Sequence, residues 1–378
     1  MATPKKIIRA VTVPESLGFC REVMIKMREK GYEMIAVSSP GEQLDELRDK
    51  YGFATYAVPM ARHISLFGDI KSLFKMTKVF RKEKPQMVHS ITPKAGLICM
   101  MAAWLTRVPV RVHMFTGLVW PTSKGLKRKI LMATDWLTCA CATHVIPEGQ
   151  GVMNDLKNGH ITKKPMKVLG YGNVMGIDLE RFDPNRFADV HKDDNTFTFV
   201  FVGRITGDKG INELVEAFMT LNDNYPDTRL VLVGRYEPEL DPLKPETMKI
   251  IESCMVIDAC GPKYGEDLLM EYMKSDCFIL PSYREGFPNT VIEAGAMGLP
   301  SIVTDINGSR EIIVNGENGL IVPPCTVQPL YDAMERMMNN KDLREKLQRN
   351  ARPMIESRFE KSFVQGCLME FYNEVINK

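Results

Sequence analysis

The chain alternates short apolar runs with longer amphipathic segments. In the first half, the apolar runs predict strands at 7–13, 34–38, 54–58, 87–89, 110–115, 143–146 and 166–169. The intervening segments predict helices at 19–30, 43–51, 66–84, 95–106, 126–137 and 149–158. This alternation is typical of a parallel sheet with helices on both faces. Ligands of such sheets bind beyond the carboxyl ends of the strands.

The second half repeats the same rhythm. Apolar runs predict strands at 198–202, 230–233, 255–258 and 277–280. Helices are expected at 211–221, 264–274 and 289–297. Three further helices, at 328–338, 343–355 and 363–376, are expected to close the chain. A chain of 378 residues suits two domains. A glycine-rich stretch and a polar stretch mark the boundary, so we predict a first domain at 1–178, a hinge at 179–195 and a second domain at 196–355.

One stretch after the strand at 277–280 concentrates candidate chemistry. Glu285 lies in its loop, Asn289 is placed to cap the following helix, and Glu293 comes about two helical turns later. Loop carboxylates can bind hydroxyl groups, and free amides at a helix N-terminus favour phosphate. A ligand with both a sugar and a phosphate would satisfy both. Taken only as a pair of acids, an ordinary turn with two surface glutamates fits equally well.

Two motifs resemble those of a known family. The sequence 281–294, which contains Glu285-x7-Glu293, resembles the signature of GT-B retaining glycosyltransferases of family 4. About 80 residues earlier, the segment 201–210 is similar to the Gly-Arg-x4-Lys-Gly element of that family. The resemblance covers nearly the whole chain and is strongest at about 196–325. It implies an α/β GT-B fold, in which two Rossmann-like domains with parallel sheets face a central cleft and the last helix, 356–378, packs back on the first domain.

The resemblance also implies roles for single residues. Glu293 would bind the ribose hydroxyls of a nucleotide-sugar donor, and Glu285 would bind the hydroxyls of the donor sugar. Arg204 and Lys209 would hold the diphosphate and stabilise the leaving group. His113 is assigned a catalytic contact with the donor, although Thr116 aligns nearer to that position. The remaining expected donor contacts are Gly18, Gly203, Lys263, Gly286, Phe287, Pro288, Asn289 and Thr290.

The loop at 89–96 resembles enzymes that act on lipid-linked sugars in bacterial polysaccharide or glycan assembly. We therefore place His89, Thr92, Lys94 and Thr116 on the acceptor side. From the residues alone, His89 and His113 fit buried, hydrogen-bonded histidines at strand ends just as well. No Asp-x-Asp occurs in the chain, and neither a metal nor a cofactor is expected.

The charge and the cysteines of the chain limit which partners and which cellular compartment we expect. The net charge of +2 gives no general signal for polyanion binding, so nucleic acid is not expected. Two basic segments, 71–84 and 124–131, suit either an anionic membrane surface or plain solvent exposure. Nine scattered cysteines predict a reduced cytosolic protein. Since no signal peptide or spanning helix is recognised, we expect a cytoplasmic protein, peripheral at the inner face of the membrane.

These expectations combine into one function. The enzyme would move a hexose or N-acetylhexosamine, with retention of configuration, from a UDP-sugar to a polyprenyl-diphosphate-linked sugar in bacterial surface polysaccharide synthesis. A GT-B-like UDP-sugar epimerase and a non-catalytic nucleotide-sugar-binding protein are the alternatives. A dehydrogenase is disfavoured, because no Gly-x-Gly-x-x-Gly follows a predicted strand.

Overall fold

The computed structural model describes residues 4–61, 65–193 and 195–377. The chain divides into two units, each of which is described separately. The first unit is discontinuous, comprising 1–175 and 362–378, and the second is the continuous segment 176–361.

The first unit contains a six-stranded parallel sheet. Its strands are β1 (Lys6–Ala10), β2 (Glu33–Ser38), β3 (Ala54–Ala57), β4 (Met87–Ile91), β5 (Val110–Phe115) and β6 (His144–Pro147). Their order is β3-β2-β1-β4-β5-β6. This is the doubly wound Rossmann order, so the α/β prediction for this half is confirmed.

Helices cover both faces of this sheet. They are α1 (Gly18–Glu29), α2 (Glu42–Asp49), α3 (Leu66–Glu83), α4 (Pro93–Leu105), α5 (Gly125–Cys141) and α6 (Gln150–Asn158). Buried side chains of α3, α4 and α5 share one core with β4 residue Val88, whereas those of α1 and α2 share another with Ile7 of β1. Because both faces are covered, the inner strands β2, β1, β4 and β5 are buried at nearly every position.

The second unit repeats the same arrangement with six parallel strands. They are β7 (Phe197–Val202), β8 (Thr228–Val233), β9 (Ile257–Gly261), β10 (Cys277–Leu280), β11 (Ser301–Thr304) and β12 (Gly319–Val322), in the order β12-β11-β10-β7-β8-β9. The helices are α7 (Ile211–Asn224), α8 (Pro245–Ser253), α9 (Gly265–Met273), α10 (Asn289–Ala296), α11 (Ser309–Ile312), α12 (Val327–Asn339) and α13 (Lys341–Phe359).

The last helix, α14 (Lys361–Ile376), contributes to the core of the first unit. Its Tyr372 is fully buried, and the hydroxyl contacts the guanidinium of Arg9, which is also fully buried on β1. The same guanidinium lies 2.6 Å from Nδ1 of His89 and 3.3 Å from Sγ of Cys20. A buried charge needs such partners, so this cluster ties the C-terminal helix to the first sheet.

Several local expectations need correction. Residues 166–169 form no strand, because Met166 makes only an isolated bridge to Val145 of edge strand β6. Helix α10 begins at Asn289, so Pro288 rather than Asn289 precedes its first turn. Helix α8 was not predicted. The hinge expected at 179–195 stays a prediction, and its described residues belong to the second unit, where Phe182 and Phe187 are buried.

Within the described ranges, no helix combines the length and the hydropathy that crossing a bilayer requires.

Candidate active site

The candidate site lies in the second unit, where the loops after β7 and β10 meet. These two strands are neighbours, and the strand order runs outward in opposite directions from this pair. Such a switch point leaves a crevice beyond the carboxyl ends of the strands. The loop after β7 carries Arg204 and Lys209, and the loop after β10 carries Glu285. The two family motifs are therefore brought together by the topology.

The loops are in close backbone contact. Gly210 has a φ of +72°, and a Cβ atom at this position would lie 2.1 Å from the carbonyl oxygen of Pro281. The amide of Tyr283 donates to the carbonyl of Asp208 at 2.9 Å. Only glycine meets both requirements at 210 without strain. The glycine that closes the first motif is therefore needed for the approach of the second.

The central feature of the site is an ion pair between Lys209 and Glu285. The ammonium of Lys209 donates to Oε1 of Glu285, and each side chain is only 14% exposed. Partial burial weakens screening by water and makes this pair stronger than an ordinary surface pair. The residues predicted to hold the phosphates and the sugar are thus in direct contact with each other.

Three further residues, Asp208, Tyr283 and Glu213, form hydrogen bonds that stabilise these loops. Oδ2 of Asp208 accepts from Arg284 at 3.2 Å, and Oδ1 accepts from the hydroxyl of Thr206 at 2.7 Å. The hydroxyl of Tyr283 donates to Glu213 on α7 at 2.7 Å. The sequence analysis assigned no role to Asp208, Tyr283 or Glu213. Asp208 lies inside the first motif, so its position could have indicated a role in the site. No sequence pattern could have indicated the contact between Tyr283 and Glu213.

The remaining predicted cations have acidic neighbours. Arg204 lies 3.8 Å from Glu237, and its side chain is 42% exposed, so the pair is loose. Lys263, in the loop after β9, lies 2.5 Å from Glu271 on α9. The hydrogen bond that Lys263 donates to Glu271 raises the pKa of Lys263, which keeps the ammonium charged. Like Lys209, both Arg204 and Lys263 lie beyond the carboxyl ends of strands in the second sheet.

Glu293 occupies the second turn of α10. Its carboxylate accepts a 3.0 Å hydrogen bond from the hydroxyl of Tyr272, which is fully buried on α9. Removal of the carboxylate from water raises the pKa of Glu293 to about 7, although the Tyr272 hydroxyl and the charge of Arg181 oppose the shift. This carboxyl group is therefore poised between its two protonation states near neutral pH.

The backbone around α10 is tightly packed. Gly308 has a φ of +73°, and a Cβ there would lie 2.4 Å from the carbonyl oxygen of Gly286 and 2.8 Å from Cα of Phe287. The loop before α11 therefore presses against the segment 286–288. Helix α10, which begins directly after this segment, has eight residues, with Asn289 and Thr290 in its first turn. Its first amides are the phosphate-binding groups that the sequence predicts.

In the first unit, His113 is part of the core. Its ring is 1% exposed, its Nδ1 lies 2.9 Å from the hydroxyl of Ser90, and a Cβ on Gly96 would lie 2.3 Å from its Cε1. Burial lowers the pKa of His113 to about 3, so the ring is neutral. It fits the alternative of a buried, hydrogen-bonded histidine, and its contact with the donor stays a prediction.

The acceptor-side residues are held by neighbours in the same unit. His89 belongs to the Arg9–Tyr372 cluster and is fully buried. Thr92 has a φ of +76°, which is strained for a β-branched residue, and its hydroxyl lies 2.7 Å from that of Thr12. Lys94 forms a 2.6 Å ion pair with Asp69 on α3. Thr116 directly follows β5 and is half-buried.

Gly18 is the first residue of α1 and is exposed. A Cβ on Gly18 would meet no heavy atom within 4 Å, and its φ of −53° is open to any residue. Neither packing nor backbone conformation requires glycine here. The open space beside Gly18 would allow a ligand to approach its backbone closely, which would explain a glycine at this position.

The second unit thus offers cations, a paired carboxylate and a helix N-terminus beside one another. This set can bind a diphosphate and the hydroxyls of a sugar. Among the described residues, no group of three His, Cys, Asp or Glu side chains is arranged to hold a metal ion.

Two family descriptions match the chain. Residues 183–354 match glycosyl transferases group 1, and residues 19–172 match the glycosyl transferase 4-like domain. The chain is 33% identical over 380 residues to the capsular polysaccharide biosynthesis glycosyltransferase CapM of Staphylococcus aureus, covering 99% of this chain and 98% of that protein.

A second relative is UDP-Gal:alpha-D-GlcNAc-diphosphoundecaprenol alpha-1,3-galactosyltransferase of Escherichia coli. It is 29% identical over 316 residues, covering 77% of this chain and 76% of the relative. The structure of Anabaena HepE with UDP superposes with a TM-score of 0.78 at 17% identity, covering 98% of this chain and all of that one. The last similarity concerns the fold alone, which is GT-B. The 33% identity over nearly the whole of both chains, together with the two family matches, shows that the chain belongs to the group 1 glycosyltransferases.

Proposed function

We propose that this protein is a retaining, metal-independent glycosyltransferase that uses a UDP-sugar donor and a polyprenyl-diphosphate-linked sugar acceptor. The transferred group is a hexose or N-acetylhexosamine, and the product belongs to bacterial surface polysaccharide. The observation that carries the proposal is the Lys209–Glu285 pair at the switch point of the second sheet. The pair supports the proposal because a cation that could bind phosphate lies directly beside a carboxylate that could bind sugar hydroxyls.

The donor occupies the carboxyl edge of the second sheet. Glu293 accepts hydrogen bonds from the ribose, and Lys263 lies on the loop nearest the base. Arg204, Lys209 and the first amides of α10 hold the diphosphate, and they neutralise the charge that develops as the sugar leaves. Glu285 orients the sugar through its hydroxyls. These groups supply the electrostatic stabilisation that a metal gives in other transferases.

The acceptor is assigned from the relatives and from the first unit. The Escherichia coli relative acts, by its name, on a diphosphoundecaprenol-linked sugar. The loop at 89–96, with Thr92 held in a strained conformation, supports an acceptor contact there. Association with an anionic membrane surface through the basic helices would bring the enzyme to such an acceptor.

The test is release of UDP from a panel of UDP-sugars, with and without a lipid extract that carries prenyl-diphosphate-linked sugars. We expect release from one donor, and only when the extract is present. Anomeric analysis of the product then distinguishes retention from inversion. Addition of EDTA leaves the rate unchanged if no metal takes part.

The same assay separates the alternatives. An epimerase converts the UDP-sugar in the absence of an acceptor, and a non-catalytic binding protein binds UDP without releasing it from any donor. Either result would overturn the proposal.

A further inference from the structure

Helix α3 exposes an apolar stripe on the surface of the first unit. Phe67 is 91% exposed, Ile70 is 65% exposed and Phe74 is 73% exposed. Their spacing of three and four residues places them on one side of the helix. The opposite side, with Met76, Val79 and Phe80, is buried in the core. Exposed aromatic residues that follow the helical repeat in this way mark an interaction surface.

A basic stripe runs beside the apolar one. Lys71, Lys75, Lys78 and Lys82 are exposed and recur at the same helical spacing. The helix therefore presents apolar side chains and ammonium groups together on its outward side. This is the pattern of a helix that lies in the plane of a membrane interface, with rings among the acyl chains and ammonium groups at the phosphates.

A second helix of the same layer repeats the pattern. On α5, Leu126 is 72% exposed and Ile130 is 39% exposed, and Lys127 and Lys129 are exposed beside them. Helices α3 and α5 both pack against α4 and begin near the sheet edge where the strands end. The Lys94–Asp69 ion pair places the start of α4, with this expected acceptor-side residue, beside the start of α3.

We propose that the outward side of α3, together with the start of α5, is the surface by which this protein inserts into a bilayer of anionic phospholipid. The occupant is argued from charge complementarity, since the ammonium groups match anionic headgroups and the rings match the acyl layer. This inference makes the proposed function more specific, because it states which side of the first unit faces the membrane that holds the acceptor. Its own test requires no acceptor and no turnover.

The experiment measures flotation of the purified protein with vesicles of phosphatidylcholine alone and of phosphatidylcholine mixed with phosphatidylglycerol. We expect binding only to the mixed vesicles. The double variant Phe67→Ser/Phe74→Ser should bind them about tenfold or more weakly, because two exposed rings no longer enter the bilayer. Lys71→Glu/Lys75→Glu should lose about tenfold, and this loss should shrink in high salt.

Two controls separate insertion from general effects. Met255→Ser removes a side chain that is 97% exposed in the second unit, and it should leave binding unchanged. Phe67→Trp should retain binding, and brominated acyl chains should quench its fluorescence only if the ring enters the bilayer.

Equal binding by wild type and Phe67→Ser/Phe74→Ser would overturn the proposal. So would concentration-dependent dimerisation without lipid that the double variant abolishes, since the occupant would then be a second copy of the chain. Because the vesicles contain no lipid-linked sugar, neither result bears on the transfer reaction, which is assayed separately by UDP release.

Discussion

The ammonium of Lys209 contacts the carboxylate of Glu285 directly, and together they form the least exposed ion pair of the candidate site. A diphosphate that binds Lys209 must compete with this carboxylate. A complete nucleotide-sugar compensates, because its hydroxyls offer Glu285 new hydrogen bonds. If Lys209 and Glu285 bind the donor as proposed, the pair favours the whole donor over the free nucleotide diphosphate.

Glu285→Gln should bind UDP about fivefold more tightly than wild type, because Lys209 no longer has a competing anion. The same variant should lose transfer activity by about a hundredfold, since the sugar is no longer oriented. Calorimetric titration with UDP and the UDP-release assay measure the two effects. Weaker UDP binding together with full activity would contradict the assigned roles.

Lys209→Ala should lower the transfer rate by about a hundredfold and also weaken UDP binding, because it removes a charge that stabilises the leaving diphosphate. Lys249→Ala is the matched control, since Lys249 is an exposed lysine on α8 of the same unit. Thermal unfolding of both variants shows whether the fold is kept. Equal activity in the two variants would remove Lys209 from the site.

Binding of UDP should become stronger as the pH rises from 6 to 7. Glu293 has a pKa of about 7, and a ribose that binds its ionised form releases a proton. Ionisation of one such group predicts a gain in affinity of about fivefold over this interval. Calorimetric titration at several pH values gives the slope. Glu293→Gln should show no such dependence, and Tyr272→Phe should move it to higher pH.

The same carboxyl group affects stability in the opposite direction. Because its pKa is raised in the folded state, ionisation costs stability as the pH rises from its ordinary value of 4.5 to about 7, and the cost stays constant above that. Glu293→Gln should therefore unfold at a higher temperature than wild type at pH 8. The difference should vanish at acidic pH, and a stabilising effect that persists there would contradict the assignment.

Comparison of Gly18→Ala with Gly210→Ala distinguishes a glycine that ligand approach would require from one that packing requires. Gly210→Ala should lower the free energy of unfolding by about 2 kcal/mol or more, because of its positive φ and its contact with Pro281. Gly18→Ala should change that free energy by about 0.5 kcal/mol at most. If a ligand approaches α1 closely, Gly18→Ala should nevertheless weaken donor binding. Unchanged binding in a stable Gly18→Ala variant would remove Gly18 from the site.

His113 should remain neutral at every pH at which the protein is folded and active, since its pKa is about 3. The group binds protons more readily when unfolded, so its contribution to stability is complete above pH 6.5 and declines as the pH falls. NMR titration of the imidazole protons, with the exposed His191 as a solvent-accessible comparison, follows this directly. A His113 signal that titrates near neutral pH would contradict the buried position.

The sequence was sufficient to predict the fold class and both motifs, because glycines, prolines and charges at fixed spacing mark βα turns. Thus Arg204, Lys209 and Glu285 were predicted, and the topology brings their loops together. The surroundings of His89 and His113 were not predictable. In a buried parallel strand both faces are apolar, so periodicity does not tell whether a polar side chain points into the core. Tyr272, which contacts Glu293, and Tyr372, which contacts His89, lie on other helices of the chain. No local sequence pattern predicts such contacts.

The contact of Tyr372 with Arg9 has a consequence for synthesis of the chain. The second unit is continuous and has all of its strands once residue 361 has been translated. The first unit is still incomplete at that moment, since the hydroxyl that contacts Arg9 belongs to Tyr372 of α14, which is translated only afterwards. The core of the first unit can therefore be completed only after α14 has been translated, and a chain that stops before Tyr372 would leave the buried guanidinium of Arg9 without this hydroxyl.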